Sequence, residues 1–325
     1  MTFICDESAE ACNRRAVVKI TTPGIYDINE RAYHSDPLPV ASLSHSIAKL
    51  LLQRSPLHAK FAHPRLTPQP EREPPTTAMD RGSALHKLIL GKGAEIKVLA
   101  YDDYRKNEAK EARDAARAAG MIPLLAEDYD NVRACATAAL EQMREHPDLV
   151  DFFAPGQSEA VMAWRDGETW CRAMVDRLPD NPRAPLYDVK LTGLSASPDG
   201  WERRLISEYA TQAAFYREGA TKLTGIEPGP MLFIVIEDTP PYAVSVIACA
   251  PSLLAYAEVE IARAKAIWTR CMATGVWPGY AAMTAYVEAP AWLQMRQEER
   301  AIRDEVAERY RERENLEFGM MEFQP

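Results

Sequence analysis

The chain has 325 residues, 47% hydrophobic and 26% charged, which is ample for a sizeable core in one domain or two. Its net charge of −9 and pI of about 5.3 exclude a broad basic surface that coats nucleic acid, though not a local basic groove. The N-terminus mixes acids and bases without an apolar leader, and no run of about 18 apolar residues exists; the sequence reads as cytoplasmic, with no membrane span.

Six cysteines (Cys5, Cys12, Cys135, Cys171, Cys249 and Cys271) are scattered and form no CxxC pair. They read as free thiols of a reducing compartment, and clustered-thiolate zinc or iron–sulfur sites are not expected.

In chain order, residues 1–22 read as a lead-in, and Pro23-Gly24 marks the start of the ordered part. A helix is expected over 42–64, capped by Ser42 or Ser44, with Ile47, Leu50 and Leu51 on one face. The Pro-rich stretch 64–76 reads as a loop. A second helix runs over 77–90 to Gly91, with Leu85, Leu88 and Ile89 apolar, and two more span 103–119 and 126–145. The period then changes to that of strands, at 158–165, 169–177 and 185–191. The first two are joined by Asp166-Gly167 and the next two by Pro179-Asp180-Asn181-Pro182. A helix at 202–219, strands at 231–237 and 242–249, a helix at 251–274 and a charged helix at 290–315 complete the chain. This order implies an α/β fold with a central mixed sheet flanked by helices. Three parts are expected: the lead-in 1–22, a domain over 23–280 and a tail over 281–325. The middle part divides into helical residues 40–146 and a core of 77–92 with 157–250.

The chemistry concentrates in the third strand, Leu186-Tyr187-Asp188-Val189-Lys190. Alternate side chains share a face, so Asp188 and Lys190 point the same way with Cα atoms roughly 7 Å apart, while Tyr187, Val189 and Leu191 face the other side. A carboxylate and an ammonium on an otherwise apolar strand are costly unless used or set on an exposed edge. If the second strand pairs antiparallel with the third, Asp176 approaches Asp188, and two converging carboxylates repel unless a cation lies between them. Mg2+ suits oxygen donors of this kind. Lys190 would then orient or help deprotonate an attacking water and offset charge on a phosphodiester.

Other polar residues join this set. His86 shares a helix face with Gly82, four residues earlier, and an imidazole can ligate a metal. Gln212 and Tyr216, also four apart, offer hydrogen bonds suited to phosphate, with Glu208 one turn earlier on the same stripe. Glu159, at the start of the first strand, is a candidate outer carboxylate. The other histidines (34, 45, 58, 63 and 146) have no comparable company.

In this order, His86, Asp176, Asp188-Val189-Lys190 and Gln212-Ala213-Ala214-Phe215-Tyr216 resemble the RecB-like branch of the PD-(D/E)xK nuclease superfamily. The segments Pro23-Gly24-Ile25-Tyr26, Ser42-Leu43-Ser44, Ser55-Pro56-Leu57-His58-Ala59-Lys60 and Gly82-Ser83-Ala84-Leu85-His86 are similar to the RecE-type exonuclease domain (exodeoxyribonuclease VIII) over residues 22–280. The resemblance implies a restriction-endonuclease-like core. It also implies a Mg2+-dependent deoxyribonuclease (Mn2+ substituting) that digests linear double-stranded DNA from the 5′ end in phage or prophage recombination. Its partners would be DNA ends, a single-strand annealing recombinase and copies of itself in a ring. By position, His86, Asp176, Asp188 and the Val189 carbonyl would hold metal and Lys190 would be catalytic. Gln212 and Tyr216 would support the site or hold the DNA backbone. The motif carries Asp188 where many members have glutamate, and the clustered cysteines of the iron–sulfur members are missing. A nuclease acting on single strands or flaps, and a non-catalytic DNA-binding protein on the same scaffold, remain open as alternatives.

Overall fold

A computed structural model describes residues 18–68 and 75–321. The chain forms two units, residues 1–280 and 281–325. The expected lead-in lies largely outside the described residues, but Ile20 is buried and its N–H bonds the Pro37 carbonyl.

The first unit opens with β1 (Gly24–Tyr26), α1 (Glu30–His34), β2 (Leu43–Ser44), α2 (His45–Gln53) and α3 (Pro56–Ala62). The single helix expected over 42–64 is thus two. Arg54 leaves helical geometry, Ser55 caps anew, and Pro56 takes the first position of α3, where its missing N–H costs nothing. Then come α4 (Thr77–Leu90), β3 (Ile96–Leu99), α5 (Asn107–Ala118), β4 (Ile122–Leu125), α6 (Ala126–Glu145) and a 3-10 turn at Pro147–Phe152. The start of α5 at Asn107 rather than 103 has a local cause: the Asp103 carboxylate bonds the Arg105 amide at 2.7 Å and competes with a helical turn.

The main sheet is built from β5 (Gly156–Asp166), β6 (Thr169–Pro179) and β7 (Leu186–Thr192), then β8 (Met231–Glu237) and β9 (Val244–Ala248). Between β7 and β8 run α7 (Pro198–Arg204), a π turn (Leu205–Tyr209) and α8 (Ala210–Thr224). The helix expected over 202–219 is therefore interrupted, with the Ala210 N–H reaching back five residues to the Leu205 carbonyl. The unit closes with α9 (Pro251–Thr274).

The sheet has seven strands in the order β1-β5-β6-β7-β8-β9, with β2 also paired to β6. It is mixed: β7 and β8 are parallel, as are β2 and β6, while β1–β5, β5–β6, β6–β7 and β8–β9 are antiparallel. One edge of β6 pairs along its length with β5. Its other edge is shared. Cys171 and Arg172 pair with β2, while Arg177 pairs with Tyr187 of β7. Between those points β6 and β7 part, and the sheet opens there.

Each face of the sheet carries a core. On one, α2, α3, α8 and α9 pack on the strands through Leu43, Trp164, Leu186, Phe215, Phe233 and Trp268. On the other, α4 and α6 cover Tyr187, Val189, Leu232 and Ile234. The strict alternation along β7 follows: Leu186 faces the first core, Tyr187 and Val189 the second. The approach of α8 to the sheet depends on Gly219, where an added Cβ would meet the Trp164 ring at 2.8 Å.

The second unit contains α10 (Ala291–Met321). No helix of the described residues is long and apolar enough to cross a membrane.

Candidate active site

The opening between β6 and β7 is where the polar residues gather. Because β6 turns away to β2, the Val189 N–H of β7 loses a strand partner and the Asp176 carboxylate takes it, Oδ2 accepting at 2.7 Å. The Val189 carbonyl lies 2.8 Å from Nε2 of His86, which α4 brings across from the second face. The same imidazole nitrogen is 3.8 Å from Asp176 Oδ2. An imidazole nitrogen, a carboxylate oxygen and a backbone carbonyl thus converge. Beside them, a Cβ built on Gly82 would meet nothing within 4 Å.

Asp188 projects toward the other side of the sheet. It is 3% exposed, so each of its oxygens needs a partner. Oδ1 accepts from Nε2 of Gln212 at 2.6 Å. Oδ2 lies against the Lys190 ammonium. Burial pushes the Asp188 carboxyl above its usual range; Lys190 opposes this and Asp176 adds to it. Burial pulls the Lys190 ammonium down, but Asp188 and Asp176 outweigh it and push it up to about 12. Lys190 is therefore a cation paired with Asp188, with the charge of Asp176 also favouring it.

The residues on α8 take unequal places. Gln212 is buried, not a solvated helix flank, because it satisfies Asp188. Tyr216 is also buried; burial, with Tyr33, Asp188 and Asp176, raises its hydroxyl well above the usual range. Glu208, in the π turn, pairs with Lys49 of α2.

Glu159 lies in β5 opposite Asp176, at the one position where the β5–β6 register skips a pair. Its φ of 47° is left-handed, a strained state for a residue with a side chain. Burial raises its carboxyl; Lys92 lowers it, and Glu30 and Asp176 raise it further. It thus stands within electrostatic reach of Asp176.

Spacing did not single out His45. Its Nε2 is 3.0 Å from Thr211 Oγ1, and its ring meets Tyr216 edge to face at 6.4 Å. Burial, then Lys49 and Lys190, push it down to about 3, so it is a neutral imidazole. The only local signal is its place at the start of α2, after the Ser44 cap; its partners lie more than 150 residues away.

The residues fit a hard divalent cation in part. His86, Asp176 and the Val189 carbonyl supply mixed nitrogen and oxygen donors. Among the described residues, however, no three His, Cys, Asp or Glu side chains form a ready cage. The expected set of four ligands is therefore incomplete as it stands. The reason is Asp188, whose carboxylate is engaged by Lys190 and Gln212 rather than turned to His86 and Asp176.

Comparison with known proteins bears on this arrangement. A solved structure from Eubacterium rectale, described as a candidate exonuclease, is similar at 12% identity and a TM-score of 0.49, covering 82% of this chain and 96% of the other. No curated protein matches. The family described as "PDDEXK-like domain of unknown function (DUF3799)" matches residues 44–290, a span that includes every residue of the cluster above. The chain belongs to that family, and so to the PD-(D/E)xK nuclease superfamily.

Proposed function

We propose that the chain is a metal-dependent exodeoxyribonuclease of the RecE type, hydrolysing phosphodiester bonds of linear double-stranded DNA from the 5′ end in phage or prophage recombination. One observation carries this reading: where β6 and β7 part, Asp176 accepts the Val189 N–H and His86 lies on the Val189 carbonyl, between the paired Asp188 and Lys190 on either side along β7. Superfamily membership supports hydrolysis of nucleic acid. The RecE-type polarity and the duplex substrate rest on the resemblance of the N-terminal segments.

A Mg2+ ion held by His86, Asp176, Asp188 and the Val189 carbonyl would supply Lewis-acid polarisation of the scissile phosphate and activation of water. Lys190, kept protonated by its two carboxylates, donates to a phosphate oxygen and offsets the charge that grows there during attack. Gln212 fixes one oxygen of Asp188, and Lys190 lies against the other. His45 and Tyr216 meet edge to face, and both are neutral. Glu159 adds an outer carboxylate beside Asp176. A single-strand annealing recombinase and self-association into a ring are the partners this reading carries with it.

The test is a linear duplex labelled at either the 5′ or the 3′ terminus, incubated with and without Mg2+. Early release of the 5′ label, only with the metal, is the expected result. Early 3′ release would overturn the polarity, and degradation confined to single strands or flaps would overturn the duplex substrate.

A further inference from the structure

Tyr209 is the last residue of the π turn, and Lys190 Nζ lies over its ring, 5.3 Å from the centroid. Behind Tyr209, Trp201 stacks at 5.6 Å with only 13° between the planes, and Trp201 is 2% exposed. Arg204 caps the outer end, its guanidinium carbon 5.3 Å from the Trp201 ring. Phe233 of β8 braces Tyr209 from the side at 5.4 Å. Lys190 therefore has Asp188 on one flank and a backed aromatic face on the other.

We infer that Tyr209 is a positioning residue for Lys190: its ring face, held by Trp201, keeps the ammonium beside Asp188 and aimed at the phosphate. The proposal rests on the nuclease reading above for its kinetic consequence, but not for its geometry. A long lysine side chain has several rotatable bonds, and a carboxylate alone fixes its distance but not its direction. A ring face attracts the cation broadside and confines it.

Two variants separate this role from plain packing. Tyr209→Phe keeps the ring, and Tyr209→Leu keeps apolar bulk against Phe233 and Trp201 but removes the π face. On a labelled duplex with Mg2+, Y209L is expected to lose kcat by roughly 3- to 30-fold, the scale of a partly desolvated cation–π contact, with KM within about twofold. Y209F is expected to restore most of the wild-type rate. A second measurement does not need activity. Lysines of the full-length chain are dimethylated with 13C, and the Lys190 signal is assigned by its loss in Lys190→Arg. It is expected upfield from ring current in wild type and Y209F, and at the ordinary lysine position in Y209L. An unshifted Lys190 signal in wild type, an unchanged signal in Y209L, or equal kinetic loss in Y209F and Y209L would overturn the proposal. An inactive wild-type chain with a shifted Lys190 signal would instead sink the nuclease reading and leave the placement standing.

Discussion

The Asp176 carboxylate accepts the Val189 amide N–H at 2.7 Å, so a side chain occupies the position a strand carbonyl would hold if β6 and β7 stayed paired. The same carboxylate is near His86, on whose imidazole the Val189 carbonyl also converges. One residue thus closes the gap in the sheet and brings a negative charge to the site.

Removing that carboxylate has a structural cost as well as a chemical one. Asp176→Ala leaves the Val189 N–H without its acceptor, which costs about 1–3 kcal/mol. Asp176→Asn can still offer an amide oxygen and is expected to lose less stability, yet both variants lose metal-dependent hydrolysis. Denaturant unfolding beside the activity assay checks this; equal stability in D176A and wild type would mean that the ladder bond is dispensable.

Gln212 holds a buried anion. Gln212→Ala strips Asp188 Oδ1 of its hydrogen bond and is expected to destabilise the fold by about 1.5–3 kcal/mol, the range for bonds to charged groups. Hydrolysis is expected to fall as Asp188 loses its fixed orientation. Gln212→Glu sets a second carboxylate against Asp188 and is expected to be worse on both counts. Thermal unfolding and rate measurements on the two variants decide it.

Much of this site was legible in residue types and periods. The alternation Leu186–Lys190 specified which side chains share a face, and the two cores on either side of β7 follow it. What spacing could not supply was partners far apart in sequence. β2 is two residues long and has no strand signature, yet its pairing with β6 opens the sheet at Asp176. The π turn at 205–209 reads as ordinary helix, and nothing in the spacing sets Tyr209 beside Lys190. His45 and the buried Asp36–His63–Arg172 cluster look like unremarkable polar residues until the fold brings them together.

That cluster makes a prediction about acid. Asp36 accepts from Ser42 at 2.9 Å and lies 3.1 Å from the Arg172 guanidinium, with His63 3.4 Å away. Burial raises its carboxyl, but His63, Arg172 and Ser42 together outweigh this and hold it below the ordinary value. A carboxyl lowered on folding contributes stability that is full above its unfolded pKa of about 3.9 and is lost as pH falls through the folded value. Asp36→Asn is expected to lower the Tm strongly at neutral pH, since it strands Arg172 at a cost of about 3–5 kcal/mol, and the gap from wild type is expected to narrow below about pH 4. A gap independent of pH would contradict the assignment.

Gly219 sets how closely α8 can sit on the sheet. Gly219→Ala drives a methyl into the Trp164 ring and is expected to destabilise the fold by about 1–3 kcal/mol despite alanine's better helix propensity. Because α8 also carries Gln212 and Tyr216, some loss of hydrolysis is expected with it. Equilibrium unfolding checks the sign, which would be positive if Trp164 simply moves aside.

In the proposed reaction, Asp176, Asp188 and Lys190 act together on a phosphodiester with a divalent cation. It is tested most directly by the rate at which wild type and Lys190→Ala degrade an end-labelled linear duplex, in Mg2+ and after chelation. Metal-dependent degradation by wild type, abolished by chelation and reduced by about 100-fold or more in a folded K190A, is expected. Undiminished Mg2+-dependent degradation by K190A, or none by wild type, would contradict it.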